Sequence, residues 1–125
     1  VHRTTVVIVE DDAEMRIVLR AFLERAGYAA LEYESAMSAR ADIGQQTFAA
    51  VILDKHMPGL DGLDFLAFLH GRYPTIPVIV VTAFGGPAVE AAALARGAAR
   101  YIEKPCRIAD VVDAIRSVLA SPAQA

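Results

Sequence analysis

Three stretches of this chain are apolar from end to end and rich in β-branched side chains: residues 4–9 (TTVVIV), 49–53 (AAVIL) and 78–81 (VIVV). A strand with one wet face alternates apolar and polar residues, whereas a strand covered on both faces does not. Runs this short and this uniform therefore predict central strands of a parallel sheet. Parallel neighbours cannot be joined by a tight hairpin, so each pair needs a crossover, usually a helix. The fold is thereby confined to alternating strands and helices, provided that the intervening segments can be helical.

They can. Met15, Val18, Leu19, Phe22 and Ala26 share one face of a first helix, which Gly27 stops. Ser35 is placed to cap a second helix over 36–43, with 44–47 as loop. Asp61 or Gly62 opens a third, with Leu63, Phe65, Leu66, Phe68 and Leu69 as its broad apolar face and Gly71 as its end. Pro87 suits the first position of a fourth helix, continuing through 88–95 and stopping at Gly97. Ile108, Val111, Val112, Ile115, Val118 and Leu119 recur at helical spacing in a fifth. Two weaker strands, 29–33 at an edge and 99–102, complete five strand–helix alternations. The predicted fold is α/β: a doubly wound (βα)5 three-layer sandwich on a five-stranded parallel sheet.

A length of 125 residues suits one domain, taken as 1–120, with 121–125 as the start of a linker or tail. The apolar share of 55% is what a sheet buried on both faces requires. No apolar run approaches the roughly 18 residues of a membrane span. Net charge is −3 and the basic residues are scattered, so direct nucleic-acid binding has no electrostatic footprint. The single cysteine, Cys106, precludes an intrachain disulfide and fits a reducing cytoplasm.

In open α/β sheets, ligands bind outside the carboxyl ends of the strands, so the residues that follow each strand belong together. They are Glu10 and Asp11, Asp54, Thr82 and Lys104. Taken singly, each has an ordinary reading: helix-start acids, a loop cap, a strand-end hydroxyl, a solvated lysine. Asp12 is read as a helix cap. Together, three acids in one crevice repel; two carboxylates about 5 Å apart cost roughly 3 kcal/mol at an effective dielectric near 20. Lys104 offsets one charge. A hard divalent cation would offset the rest, and an all-oxygen donor set suits Mg²⁺. Mg²⁺ held this way keeps positions open for phosphate oxygens, which Thr82 and Lys104 could also contact. Asp54 is then a carboxylate able to attack phosphorus, giving an aspartyl phosphate.

This set resembles the receiver domain of two-component response regulators, a chemotaxis-regulator-like member of the flavodoxin-like folds. The likeness spans nearly the whole chain and rests on four matches in order: Glu10-Asp11, the D-x-x-M-P-x-x-D-G run from Asp54 to Gly62, Thr82-Ala83, and Tyr101-Ile-Glu-Lys104-Pro105. It implies strand order 2-1-3-4-5, the order of flavodoxin-like doubly wound sheets. It implies that Asp54 accepts a phosphoryl group from a sensor histidine kinase and that the domain catalyses its own phosphorylation and dephosphorylation. Asp11, Asp54 and the backbone carbonyl of His56 would bind Mg²⁺, with Glu10 acting through water. Thr82 and Lys104 would contact phosphoryl oxygens, Thr82 and Tyr101 would switch position, and the Lys104–Pro105 bond would be cis. The face formed by the fourth helix, fifth strand and fifth helix would carry the output, through homodimerisation on phosphorylation or an output domain, covalently linked or separate, with transcription as the regulated process. His56 and Phe84 stand where side chains can affect phosphoryl lifetime.

Alternatives within the fold are a phosphorylation-independent interaction module and the receiver of a hybrid histidine kinase. A flavodoxin-like cofactor protein would need a hydroxyl- or glycine-rich phosphate loop where this chain has Glu10-Asp11-Asp12. A phosphatase with a second aspartate two residues after its nucleophile would need one at position 56, which is His56.

Overall fold

The computed structural model describes residues 3–54 and 62–120. The expectations for the His56 carbonyl, for Asp61 as a start of the third helix, and for the 121–125 tail lie outside the described residues.

The described residues form, in order, β1 (Thr5–Val9), α1 (Ala13–Arg25), β2 (Ala29–Tyr33), α2 (Ala36–Asp42), a 3₁₀ turn (Ile43–Gln45), β3 (Ala50–Asp54), α3 (Gly62–Arg72), β4 (Val78–Thr82), α4 (Pro87–Ala95), β5 (Arg100–Glu103) and α5 (Ile108–Leu119). The strands form one parallel sheet in the order β2-β1-β3-β4-β5. The order reverses beside β1, between its partners β2 and β3, and that reversal opens a crevice at the carboxyl edge.

The uninterrupted apolar runs arise because successive side chains feed different cores. Val7, Val9, Val51, Leu53, Val78 and Val80 face a core closed by α2, α3 and α4 through Ala36, Ala39, Phe65, Leu66, Leu69 and Ala93. Val6, Ile8, Ala50, Ile52, Ile79 and Val81 face the other, closed by α1 and α5 through Leu19, Leu23, Val111, Val112 and Ile115. A polar side chain within any central strand would therefore enter one core or the other.

The structure shifts several boundaries. β3 and β4 run one residue further than the apolar runs, so Asp54 and Thr82 are themselves strand residues. α2 ends at Asp42, and Ile43 is buried in the 3₁₀ turn that follows. α3 passes Gly71 and ends at Arg72. On α1, Met15, Leu19, Phe22 and Ala26 pack against the core as expected, but Val18 is 38% exposed and Leu23 is fully buried. Ser35 does cap α2, accepting from the Ser38 backbone N–H at 3.0 Å. Among the described residues no helix is long and apolar enough to cross a membrane.

Candidate functional site

The carboxyl edge of the sheet is where the charged residues collect. β1 is central, so the chain leaving it is still paired when it reaches Glu10, whose N–H donates to the Tyr33 carbonyl at 3.1 Å. Glu10 is buried, at 3% exposure, while Asp11 beside it is exposed. Asp12 turns to the helix: its carboxylate accepts from the backbone N–H of Glu14 at 3.0 Å and of Met15 at 3.5 Å, capping α1. Asp54, the last residue of β3, is 6% exposed, and Thr82, the last of β4, is fully buried. Lys104 follows β5 directly, its backbone N–H bonded to the Thr82 carbonyl at 2.8 Å. Its ammonium donates to Glu10 Oε1 at 3.0 Å and lies 3.7 Å from Asp54 Oδ2. The Lys104–Pro105 peptide bond is cis.

Glu10, Asp11, Asp54, Thr82 and Lys104 thus come to one edge. Glu10, Asp11 and Asp54 each present a carboxylate oxygen, and these oxygens lie within 4.8 Å of one another. Burial, and next the charge of Asp54, push the Glu10 carboxyl up to about 7, against the pull of its hydrogen bond from Lys104. For Lys104, burial works against the ammonium, but the hydrogen bond to Glu10 and the charges of Glu10 and Asp54 prevail and raise its pKa. One ammonium does not relieve three acids, so the crevice favours a proton or a cation. The donor set is all oxygen, two of its members are buried, and one faces solvent, which fits a hard divalent ion such as Mg²⁺ with open positions.

The Thr82 hydroxyl accepts from the Phe84 backbone N–H at 3.0 Å, folding the chain after β4 into a tight turn. Phe84 is exposed at the edge of this turn. Tyr101, half-buried on β5, has its hydroxyl against the same loop: it accepts from the Gly86 N–H at 3.2 Å and donates to Glu103 Oε1 at 3.2 Å. Cys106 is half-buried against the α1–α5 core, and burial raises its thiol pKa.

Two contributors escaped the sequence reading. The Arg16 guanidinium donates to the Glu10 carbonyl at 2.6 Å and lies 3.5 Å from Glu32 Oε1, which ties the acid-bearing segment to β2. A cation in the first turns of a helix opposes the macrodipole, and that misfit was the available signal. Glu103, the second, accepts from the Gly86 N–H at 2.9 Å, a contact across 17 positions that no local pattern announces.

Comparison with known proteins agrees with this arrangement. Residues 6–116 match the family model described as the response regulator receiver domain. The chain is 34% identical over 110 residues to the response regulator protein FleR of Pseudomonas aeruginosa, covering 88% of this chain and 23% of FleR. It is 32% identical over 123 residues to the transcriptional regulatory protein ResD of Bacillus subtilis, covering 98% of this chain and 51% of ResD. It thus spans only a part of the curated relatives it matches. Among solved structures, a CheY-like response regulator receiver domain protein from Methanospirillum hungatei superposes with a TM-score of 0.91 at 26% identity, covering 96% of each chain. A sheet of this order, acids gathered at its carboxyl edge and a family match over nearly the full length lead to one assignment: the chain belongs to the receiver domains of two-component response regulators.

Proposed function

We propose that this chain is a phosphorelay switch in which Asp54 accepts a phosphoryl group from the phosphohistidine of a sensor histidine kinase. The observation that carries the reading is the Lys104 ammonium set between two buried carboxylates, with a third acid within ligand reach. Asp11 and Asp54, with Glu10 through water and the His56 backbone carbonyl, would hold Mg²⁺. When bound, Mg²⁺ neutralises the acids and polarises a phosphoryl oxygen.

The chain's own residues do the rest. An Asp54 oxygen attacks phosphorus, and the phosphorus–nitrogen bond to the donor imidazole breaks as the oxygen–phosphorus bond forms. Lys104, already held at the acids, pairs with a phosphoryl oxygen. The Thr82 hydroxyl donates to another after leaving the Phe84 N–H. The aspartyl phosphate brings about −1.5 to −2 of charge and strong acceptors. Those acceptors draw on Thr82 and Lys104, and the displacement passes to the loop before α4 and to Tyr101. The face of α4, β5 and α5 then engages a second copy or an output domain. ResD, by its name a transcriptional regulatory protein, supports transcription as the process that such an output controls.

The test is intact mass after incubation with acetyl phosphate and Mg²⁺. The expected result is a gain of one phosphoryl group that Asp54→Asn and a chelator each abolish. A gain that persists in Asp54→Asn would assign the acceptor elsewhere, and no gain at all would leave an interaction module without phosphoryl chemistry.

A further inference from the structure

Of the described helices, α4 buries the fewest side chains, Ala93 alone. Its N-cap, Gly86, has φ +130° and brings no side chain to the exposed N–H groups of the first turn. The helix start is held instead from β5. Gly86 N–H donates to both Glu103 Oε1, at 2.9 Å, and Tyr101 Oη, at 3.2 Å, and the tyrosine hydroxyl donates to the same carboxylate oxygen at 3.2 Å. A carboxylate here also meets the positive end of the helix dipole. This triangle closes only because position 85 lacks a side chain. A Cβ on Gly85 would lie 2.0 Å from Tyr101 Oη and 2.8 Å from Glu103 Oε1.

We propose that Glu103 is a positioning residue: in the space left by Gly85 it binds the Tyr101 hydroxyl to the start of α4 and so sets the resting position of the α4–β5 face. The latch adjoins the crevice at both ends. Phe84, whose N–H the Thr82 hydroxyl holds, lies two residues before Gly86, and Lys104, whose N–H the Thr82 carbonyl holds, follows Glu103. A shift of Thr82 therefore pulls on both halves. This link to signalling rests on the phosphoryl-acceptor reading, whereas the latch itself is a property of the unphosphorylated chain.

The test is amide exchange by NMR on the unphosphorylated, ¹⁵N-labelled chain, together with ring-to-amide contacts between Tyr101 and Gly86. Glu103→Ala is expected to speed exchange of Gly86 and of the first turn of α4 about tenfold, with the amides of β1, β3 and β4 unchanged. Glu103→Gln, which keeps an acceptor oxygen, restores part of the protection. Gly85→Ala expels the Tyr101 ring, abolishing its contact with Gly86. Should Gly85→Ala fail to fold, Tyr101→Phe removes only the hydroxyl and gives an intermediate rate. Unchanged exchange at Gly86 in Glu103→Ala overturns the proposal. So does acceleration spread evenly across the sheet, which would make Glu103 an ordinary stabilising residue. Phosphoryl gain, read by mass on the same samples, separates the two ideas: a chain that never gains the group yet shows the latch response loses only the signalling reading. A chain that gains it without that response loses only the latch.

Discussion

α1 and α4 both begin at the carboxyl edge of the sheet, one after β1 and the other after β4, yet they are held in opposite ways. α1 is capped by its own Asp12 and buries Leu19 and Leu23 against the α5 side of the core. α4 buries one alanine, exposes Leu94, and takes its capping from Tyr101 and Glu103 on another strand. A helix that carries its own cap and anchor stays put when its surroundings change. One secured from outside follows whatever moves the outside residues. The crevice therefore has a stiff wall, bearing Glu10 and Asp11, and a yielding wall beyond Thr82.

The largest effect that would sharpen this contrast is in packing. Leu23→Ala is expected to lower unfolding free energy by about 3 kcal/mol in urea denaturation, whereas Leu94→Ala, at a site 48% exposed, should stay within about 0.5 kcal/mol. Comparable losses would erase the distinction between the helices.

Next comes the charge stored on the stiff side. The folded chain holds the Glu10 proton more firmly than an ordinary glutamate does, about 7 against 4.5. Its contribution is fully present below the lower value and disappears as pH rises through the upper one. In chelator, wild type should thus lose on the order of 3 kcal/mol relative to Glu10→Gln between those limits. Parallel pH profiles for the two proteins would remove Glu10 as the cause.

The caps should differ by less. Asp12→Ala is expected to cost about 1 kcal/mol of global stability. Glu103→Ala should change it by under about 0.5 kcal/mol, since its consequence is local opening of α4. A global loss for Glu103→Ala as large as that for Asp12→Ala would mean that α4 is no looser than α1.

The architecture was readable because β1, β3 and β4 are covered on both sides, which leaves unbroken apolar runs no other arrangement would require. The crevice was readable because Asp54 and Thr82 terminate such runs, and a polar group there has few structural uses. The edge of the α1 face was not: its apolar stripe is wide, so periodicity alone did not place Val18 outside it and Leu23 inside. Arg16 and Glu103 were missed for a different reason. Their partners, the Glu10 carbonyl and the Gly86 N–H, are backbone atoms that come near only after folding, and backbone atoms carry no residue-type signature.

The ion pair between Lys104 and Glu10 joins residues 94 positions apart. Its two halves enter the molecule with the first strand and after the last, so no chain that stops short of residue 104 contains the pair. Newly synthesised protein gains the complete charge set only when nearly all of the domain has been made. Assembly of the charged crevice and completion of the domain are, in this topology, one event.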